Sequence, residues 1–311
     1  MTKSKFREFL FEARHRTGLL AAAATVAVFH HMEVGAVAQS KSMGPALPST
    51  PQAPKDNPTT PAKVALGRLL FWDPLLSGPQ DVACATCHHP KNGYAEDRDL
   101  SLGVTGIGLG SSRRQAPGSS IPIVKRNAPT VLNIAFSGSD ESGRYDPATA
   151  PMFWDLRVKS LEKQALEPLK ANEEMRGDTY KEDEALASVV AKLQANAEYR
   201  SLFAETFGGA QPVNAENLGR AIAAFERTQL ANNSPFDRYM RGDRSAMTEE
   251  QVSGMRRFES VGCVKCHNGP MFSDYKLHVM GPLWHLTHPT LSKRCIPLTC
   301  SSVMALRSPR M

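Results

Sequence analysis

The chain carries the pentapeptide Cys84-Ala85-Thr86-Cys87-His88 and repeats its pattern at Cys263-Val264-Lys265-Cys266-His267. Cys-x-x-Cys-His is the attachment pattern of a c-type haem, in which both thiols form thioethers with the porphyrin. The histidine that follows supplies an imidazole to the iron. Zinc is the alternative for paired cysteines, but it requires no histidine directly after both pairs. The two copies therefore predict two covalent c-type haems, with His88 and His267 as iron ligands.

Residues 1–38 have the composition of a cleaved signal peptide. Five basic side chains open the segment, an apolar stretch follows at 18–29, and Ala36-Val37-Ala38 offers a small-residue cleavage site. An uncleaved membrane anchor is the alternative, although a spanning helix needs roughly 18–20 apolar residues. We therefore expect export to the periplasm, the compartment that suits covalent haem attachment.

The net charge of +6 is concentrated at the two ends of the chain. Residues 1–38 account for +2 and residues 282–311 for +4, which leaves the body between them neutral. A surface that binds nucleic acid needs basic side chains clustered on the folded body. We therefore expect no nucleic-acid partner.

Apolar periodicity predicts a mainly α protein, with helices at 62–71, 157–170, 181–195, 214–231 and 248–260. Thr248 and Gln251 fit a capping box, and Asn214 fits an N-cap. Residues 101–122 are rich in Gly, Ser and Pro and are predicted to form a long loop. No stretch shows the alternation typical of a strand.

The separation of the two haem motifs leaves room for one helical domain around each. Pro, Ser and Thr dominate the segment before the first helix, which predicts a flexible arm. The predicted organisation is a signal peptide at 1–38, the arm at 39–61, a first haem domain at 62–212, a second haem domain at 213–281 and an atypical tail at 282–311.

Short stretches outside the haem motifs resemble the bacterial dihaem cytochrome c peroxidases, a family that includes the MauG-type enzymes of methylamine utilisation. They follow one another in family order over about residues 60–281 and include Leu66-Gly67-Arg68-Leu69-Leu70-Phe71-Trp72-Asp73-Pro74, Arg126-Asn127-Ala128-Pro129-Thr130, Phe153-Trp154-Asp155-Leu156-Arg157 and Glu174-Met175. The resemblance implies two cytochrome c-like helical domains, each holding one covalent haem, with a calcium ion at their junction. It also implies that the first haem meets peroxide and that the second receives electrons from a small donor protein.

The resemblance assigns acid–base chemistry to Glu174, which precedes Met175 as the family glutamate does. Heterolysis of peroxide needs a group that takes a proton from the oxygen nearest the iron and returns one to the leaving oxygen, which a carboxyl can do. Glu173 is the alternative by a one-residue shift, and a solvated surface role is the ordinary fate of a glutamate. Gln164 and Pro168 match the family's peroxide pocket, where Gln164 would donate a hydrogen bond to bound water or peroxide. An exposed helix position is the alternative for Gln164.

Two further residues receive roles from the resemblance. Trp154 resembles the family tryptophan between the two haems that assists electron transfer, while core packing is the common role of a Trp. Asn127 resembles a calcium-binding position, and oxygen ligands suit calcium. Turn capping before Ala-Pro is the alternative for Asn127.

Two features depart from the family pattern. Many family members have a histidine between the first haem motif and Arg-Asn-Ala-Pro that ligates the first iron, and residues 91–129 contain none. We therefore expect an open sixth position on the first haem, a property that MauG-type enzymes share. Residues 282–311 contain no acidic side chain. We interpret them as a foreign or frame-shifted tail, in which Cys295 and Cys300 have no assigned role.

The resemblance implies a periplasmic peroxidase that reduces hydrogen peroxide with electrons from a cytochrome c or a cupredoxin-type protein. Two alternatives stay open at this point: a MauG-like oxidase that modifies a partner protein, and a truncated dihaem protein that only transfers electrons. A homodimer is compatible with each of them.

Overall fold

The computed structural model describes residues 43–108 and 110–279. The predicted signal peptide, the first residues of the predicted arm, and the tail at 282–311 with Cys295 and Cys300 lie outside the described residues. The described residues up to Asp274 form one compact unit, and 275–279 belong to a second unit, where these five residues form no helix or strand. Within the described part, no helix combines the length and the apolar character that a membrane crossing requires.

The described residues are mainly helical, which confirms the predicted fold class. The α-helices, in chain order, are α1 Pro61–Trp72, α2 Cys84–Cys87, α3 Leu161–Gln164, α4 Glu167–Lys170, α5 Ala185–Ala195, α6 Ala197–Phe207, α7 Ala215–Glu226, α8 Pro235–Met240 and α9 Glu249–Ser260. Single turns of tighter helix lie at Pro74–Leu76, Pro90–Asn92, Gly110–Ser112, Ile134–Phe136 and Cys263–Lys265, and a π-helical turn lies at Asn172–Arg176.

Two short antiparallel pairs complete the described structure. Strand β1 (Gly106–Ile107) pairs with β2 (Arg114–Gln115), and β3 (Pro151–Met152) pairs with β4 (Val158–Lys159). The first pair lies inside the predicted long loop. Each strand has two residues, too few to produce a detectable alternation in the sequence.

Capping residues set several helix starts. Gln251 N donates to Thr248 Oγ1 at 3.3 Å, and Thr248 N donates to Gln251 Oε1 at 2.9 Å, which confirms the predicted capping box of α9. The predicted N-cap of α7 is also confirmed, since Asn217 N donates to Asn214 Oδ1 at 2.8 Å. Capping side chains satisfy amide groups that have no partner inside the helix.

The predicted helix over 157–170 is divided into β4, α3 and α4. Pro168 explains the break between the two helices, because it has no N–H to donate to the carbonyl group four residues earlier. Helix α6 was not predicted, although the buried Tyr199 and Phe203 lie one helical turn apart on its inner face. Asn196 caps it by accepting from the amides of Glu198 and Tyr199.

The main core forms where α1 packs against α7. Leu66, Leu70 and Phe71 of α1 are buried in one cluster with apolar side chains of α7 that include Leu218, Ile222 and Phe225. The phenyl rings of Phe71 and Phe225 lie 5.1 Å apart. Helix α7, which begins after the predicted boundary between 212 and 213, thus shares one core with α1. The division into a first haem domain at 62–212 and a second at 213–281 stays a prediction.

Gly67 lies at a close contact between α1 and α7. A Cβ atom added at this position would lie 1.9 Å from the carbonyl oxygen of Ala221 and 2.9 Å from the Cβ of Phe225. Both values are far below ordinary van der Waals separation, so a larger residue must push the two backbones apart.

Gly67→Ala should therefore lower the free energy of unfolding, toward the upper end of the about 1–3 kcal/mol that overpacking costs. The matched control is Arg68→Ala, at an exposed position on the same helix, where a change within about 0.5 kcal/mol is expected. Urea unfolding of both variants is the measurement. Equal stability of the two variants would contradict the packing of α1 on α7.

The described part of the predicted flexible arm is packed against the folded body. Met43 and Leu47 are buried, and the amide of Leu47 donates to Asp237 Oδ1 at 3.1 Å. Asn57 is fully buried, and its Nδ2 donates to Glu162 Oε1 at 2.8 Å. Two apolar side chains and one buried amide thus fix residues 43–60 despite the Pro/Ser/Thr composition, so the prediction of a flexible arm is corrected for these residues.

Candidate functional site

A cavity of about 410 Å³ contains the first haem motif and the residues predicted to act near it. Cys84, Cys87 and His88 line it together with Glu174 and, from other segments, with Gln164, Pro168 and Trp154. The volume falls in the range of cavities that hold cofactors and small ligands, about 300–1,000 Å³. The structure therefore brings together the predicted first-haem residues, which are spread over residues 84–174 of the chain.

The first haem motif forms the single turn of α2. His88 N donates to Cys84 O at 3.0 Å, and Ala83 N donates to Thr86 Oγ1 at 2.9 Å, which closes the turn from both ends. Residues three positions apart lie on the same side of a helix, so Cys84 and Cys87 share one face. This face is the one that a macrocycle attached through both sulfurs needs.

The imidazole of His88 is held by the backbone. Its Nδ1 lies 3.0 Å from the carbonyl oxygen of Tyr94, and a carbonyl oxygen can only accept, so Nδ1 carries the proton. This leaves the lone pair of Nε2 available to a metal. Burial lowers the pKa of His88, which keeps the ring neutral and able to ligate iron.

Burial also controls the chemistry of the two thiols. It raises the pKa of Cys84, and it raises the pKa of Cys87 to about 12, with Glu96 adding to the shift and Arg113 opposing it. Both thiols are thus neutral at pH 7, which is unlike the ionised sulfur of a reactive cysteine. Thioether sulfurs are neutral as well, so these residues fit a covalently attached haem.

Glu174 lies in the π-helical turn Asn172–Arg176, and turns of this kind are frequent at functional sites. The amide of Val104 donates to Glu174 O at 3.0 Å, and Gly78 N donates to Met175 O at 2.7 Å, so the turn is held from two sides. Gly103 permits the first contact, because a Cβ there would lie 2.1 Å from Glu174 O.

The half-buried carboxyl of Glu174 has a raised pKa. Burial is the main cause, the negative charge of Glu173 adds to it, and the guanidinium of Arg157 opposes it. A carboxyl whose pKa moves toward neutrality is better suited to accept and return a proton at physiological pH. Glu173 lines the same cavity, so the structure places both candidate acid–base carboxyls there.

Trp154 and Gln164 occupy different depths of the site. Gln164 ends α3 and is half-buried, whereas Trp154 is 59% exposed and its indole Nε1 donates to Asn127 O at 3.0 Å. Next to Trp154, Asp155 pairs with Arg126 at 2.8 Å and with Arg157 at 2.9 Å. The indole is therefore fixed in an exposed position rather than packed in the core.

The side-chain amide of Asn127 is hydrogen-bonded to the backbone. Its Nδ2 donates to the carbonyl oxygens of Glu96 and Arg98, which leaves only Oδ1 as a ligand atom. This contact matches the turn-holding alternative that the sequence left open. The role of Asn127 in binding calcium stays a prediction.

A buried ion pair beside Cys87 was not predicted from the sequence. Arg113 Nη1 lies 3.6 Å from Glu96 Oε1, and the two side chains are only 2% and 5% exposed. Arg113 Nη2 also donates to Gly103 O at 2.9 Å. The Gly/Ser/Pro-rich composition around Arg113 indicated a solvated loop and gave no signal of a buried charge.

Glu226 was also missed, although the sequence carries a signal for it. It is 7% exposed, lines the cavity, and ends α7 four residues after the buried Ile222. Apolar periodicity thus places it on the inner face of the helix. Burial raises the pKa of Glu226 to about 8, with Arg227 opposing the shift and Glu162 adding to it.

The second haem motif repeats the local geometry of the first. His267 N donates to Cys263 O at 3.0 Å, and His267 Nδ1 lies 3.1 Å from the carbonyl oxygen of Phe272. The two residues whose carbonyls hold the imidazoles, Tyr94 and Phe272, both have positive φ, at 57° and 54°. The chain therefore builds the same histidine-orienting turn twice.

The surroundings of the second motif are more open. Cys263 and His267 are exposed, and the ring of Phe258 lies 6.1 Å from that of His267. Phe258 also lines an apolar groove of about 470 Å³, whose other apolar walls include Met43, Phe236, Met247, Met255 and Phe272. The described residues thus supply one apolar wall beside the second motif.

Comparison with known proteins identifies relatives of the chain. Residues 61–245 match the family described as di-haem cytochrome c peroxidase. The chain is 35% identical over 235 residues to the methylamine utilization protein MauG of Methylorubrum extorquens, covering 75% of this chain and 57% of the relative. It is 33% identical over 255 residues to the cytochrome-c peroxidase IdrP1 of Pseudomonas sp. strain SCT, covering 78% of this chain and 58% of the relative.

Among solved structures, the fold is similar to that of a MauG-like protein associated with microbial copper homeostasis. The TM-score is 0.57 at 27% sequence identity, and the match covers 76% of this chain and 61% of that chain. The chain thus spans less than two thirds of the length of each of these relatives.

Proposed function

Since this chain belongs to the di-haem cytochrome c peroxidase family, we propose that it reduces hydrogen peroxide to water in the periplasm with electrons from a small donor protein. Family membership confirms the resemblance inferred from the sequence. One observation carries the proposal: a single cavity contains the first Cys-x-x-Cys-His motif, the carboxyl of Glu174 and the amide of Gln164.

Each haem motif has a defined part in the proposal. Cys84 and Cys87 attach the first haem, and His88, held by Tyr94 O, presents Nε2 to its iron. Cys263 and Cys266 attach the second haem, and His267 is its ligand. The haem iron supplies the chemistry that breaks the oxygen–oxygen bond, while the protein provides orientation and protons.

Glu174 moves the proton in the proposed reaction. Its carboxylate takes a proton from the peroxide oxygen nearest the iron and returns it to the oxygen that leaves as water. Gln164 orients the bound peroxide with its amide N–H. Trp154, at the exposed edge of the cavity, would assist the entry of electrons from the second haem.

The test is peroxide-dependent oxidation of reduced cytochrome c by the haem-loaded protein. The proposal expects oxidation that requires both peroxide and the loaded protein, together with the stoichiometry of two electrons per peroxide. Electron exchange with cytochrome c in the absence of peroxide consumption would instead favour the electron-transfer alternative.

A MauG-like oxidase that modifies a partner protein is the second candidate. Among the described residues that line the cavity, His88 is the only histidine, which supports the open sixth position expected from the sequence. An open sixth position suits an iron that reacts directly with an oxidant. Peroxide-dependent oxidation of a partner protein, with little oxidation of cytochrome c, would favour this candidate.

A further inference from the structure

We propose that Glu226 delivers protons into the first haem cavity for the reduction of peroxide. The proposal rests on the proposed function. Hydrogen peroxide, two electrons from the donor protein and two protons give two waters. Glu174 returns the proton that it takes, so its relay adds none, and two protons must enter the cavity in each turnover.

Glu226 lies in the wall of the cavity that contains the first haem motif. It lines the same cavity as Cys84 and Glu174, and only 7% of it is exposed. Its Oε2 is buried and has no hydrogen-bond partner among the described residues. Because a buried polar atom without a partner is costly, an unpaired carboxyl oxygen at a cavity wall indicates a function inside the cavity.

A polar cluster that reaches solvent lies close enough to Glu226 for its charges to act on that carboxyl. Arg227 Nη2 donates to Glu162 Oε1 at 2.5 Å, and Asn57 Nδ2 donates to the same oxygen at 2.8 Å. The side chain of Glu162 is 16% exposed, so it reaches solvent, whereas that of Arg227 is 2% exposed. Glu162 Oε2 and Arg227 Nη1 are buried without a described partner, as Glu226 Oε2 is. In the proposal Glu162, the solvent-accessible carboxyl of this cluster, takes protons from solvent and passes them to Glu226, while Arg227 holds Glu162 in place.

The surroundings of Glu226 give its carboxyl a pKa at which it can both hold and release a proton. Burial is the main reason why its pKa is about 8, the positive charge of Arg227 opposes the shift, and the negative charge of Glu162 adds to it. Cys84 faces Glu226 from α2, and its pKa is raised in part by that carboxyl. At pH 7 Glu226 is therefore mostly protonated, and a group with a pKa near the working pH exchanges protons readily.

Glu226→Gln in the haem-loaded protein tests the proposal through the dependence of kcat on pH. Gln has the size of a protonated Glu but cannot release a proton, so kcat should fall about tenfold or more. Wild-type kcat should decline above about pH 8, and this decline should be absent in the variant. The KM for the electron donor should not change. Glu216→Gln, at the exposed start of the same helix, is the matched control and should behave as wild type.

Infrared spectroscopy of the loaded protein supplies a readout that does not depend on turnover. A band from a protonated carboxyl should disappear as the pH rises through about 8, and Glu226→Gln should lack it. Glu226→Asp, which retains a carboxyl, should keep a titrating band and serves if the Gln variant does not fold. Absence of such a band in wild type, or an unchanged pH profile in Glu226→Gln, overturns the proposal. A wild-type protein that consumes no peroxide overturns the proposed function instead.

Discussion

Glu174→Gln in the haem-loaded protein lowers the turnover of peroxide by about 10²–10⁴-fold, the range that a positioned acid–base group contributes. Gln has nearly the same shape as Glu but cannot take and return a proton. The backbone contacts that hold the turn, from Val104 N and Gly78 N, do not involve the side chain and persist in the variant. The loss should therefore appear in kcat, with unchanged haem content. Steady-state oxidation of reduced cytochrome c is the measurement.

Glu173→Gln is the matched control, because Glu173 adjoins Glu174 in the same turn and lines the same cavity. It should retain activity within about tenfold, since it removes only a neighbouring charge that raises the pKa of Glu174. If turnover survives in Glu174→Gln and is lost in Glu173→Gln, then Glu173 is the acid–base residue. Full activity in both variants would show that neither carboxyl takes part in catalysis.

Arg113→Met lowers the free energy of unfolding by about 3–5 kcal/mol, the cost of leaving one buried charge without its partner. The carboxyl of Glu96, 5% exposed, would lose the guanidinium 3.6 Å away. Gly103 O would lose its donor at 2.9 Å, close to the point where Gly103 contacts the turn that carries Glu174. Chemical unfolding of the variant is the measurement.

The double variant Arg113→Met with Glu96→Leu separates the charge effect from the packing effect. It should recover much of the lost stability, because replacing both members of a buried pair with apolar side chains is often neutral. Arg144→Met is the control, since Arg144 forms an exposed pair with Asp140, with an expected change under about 1 kcal/mol. If Arg113→Met is as stable as Arg144→Met, the buried pair does not stabilise the loop at 101–122.

The parts of the site that could be predicted from the sequence are local. In each haem motif the histidine amide bonds to the first cysteine's carbonyl, so His88 and His267 are placed by spacing alone. The capping box of Thr248 and Gln251 is local in the same way. Such features need no knowledge of distant parts of the chain, which is why the capping box and several helices agree with prediction.

The parts that could not be predicted depend on contacts between distant residues. Gly67 gives no sign in the sequence that it faces Ala221, and this contact joins α7 to α1. Arg113 lies in a stretch whose composition indicates exposure, and its burial depends on partners elsewhere in the chain, among them the carboxyl of Glu96 and the carbonyl of Gly103. The placement of Glu174 among the cavity residues required the resemblance, since a single glutamate in an acidic stretch indicates nothing by itself.

The most direct test of the account is the mass of the mature protein produced in a host that attaches c-type haem. The mature protein should have the mass of the polypeptide plus two haem groups. The paired variants Cys84→Ala with Cys87→Ala, and Cys263→Ala with Cys266→Ala, should each carry one haem. A mature wild-type protein that carries no covalent haem in such a host would contradict the account.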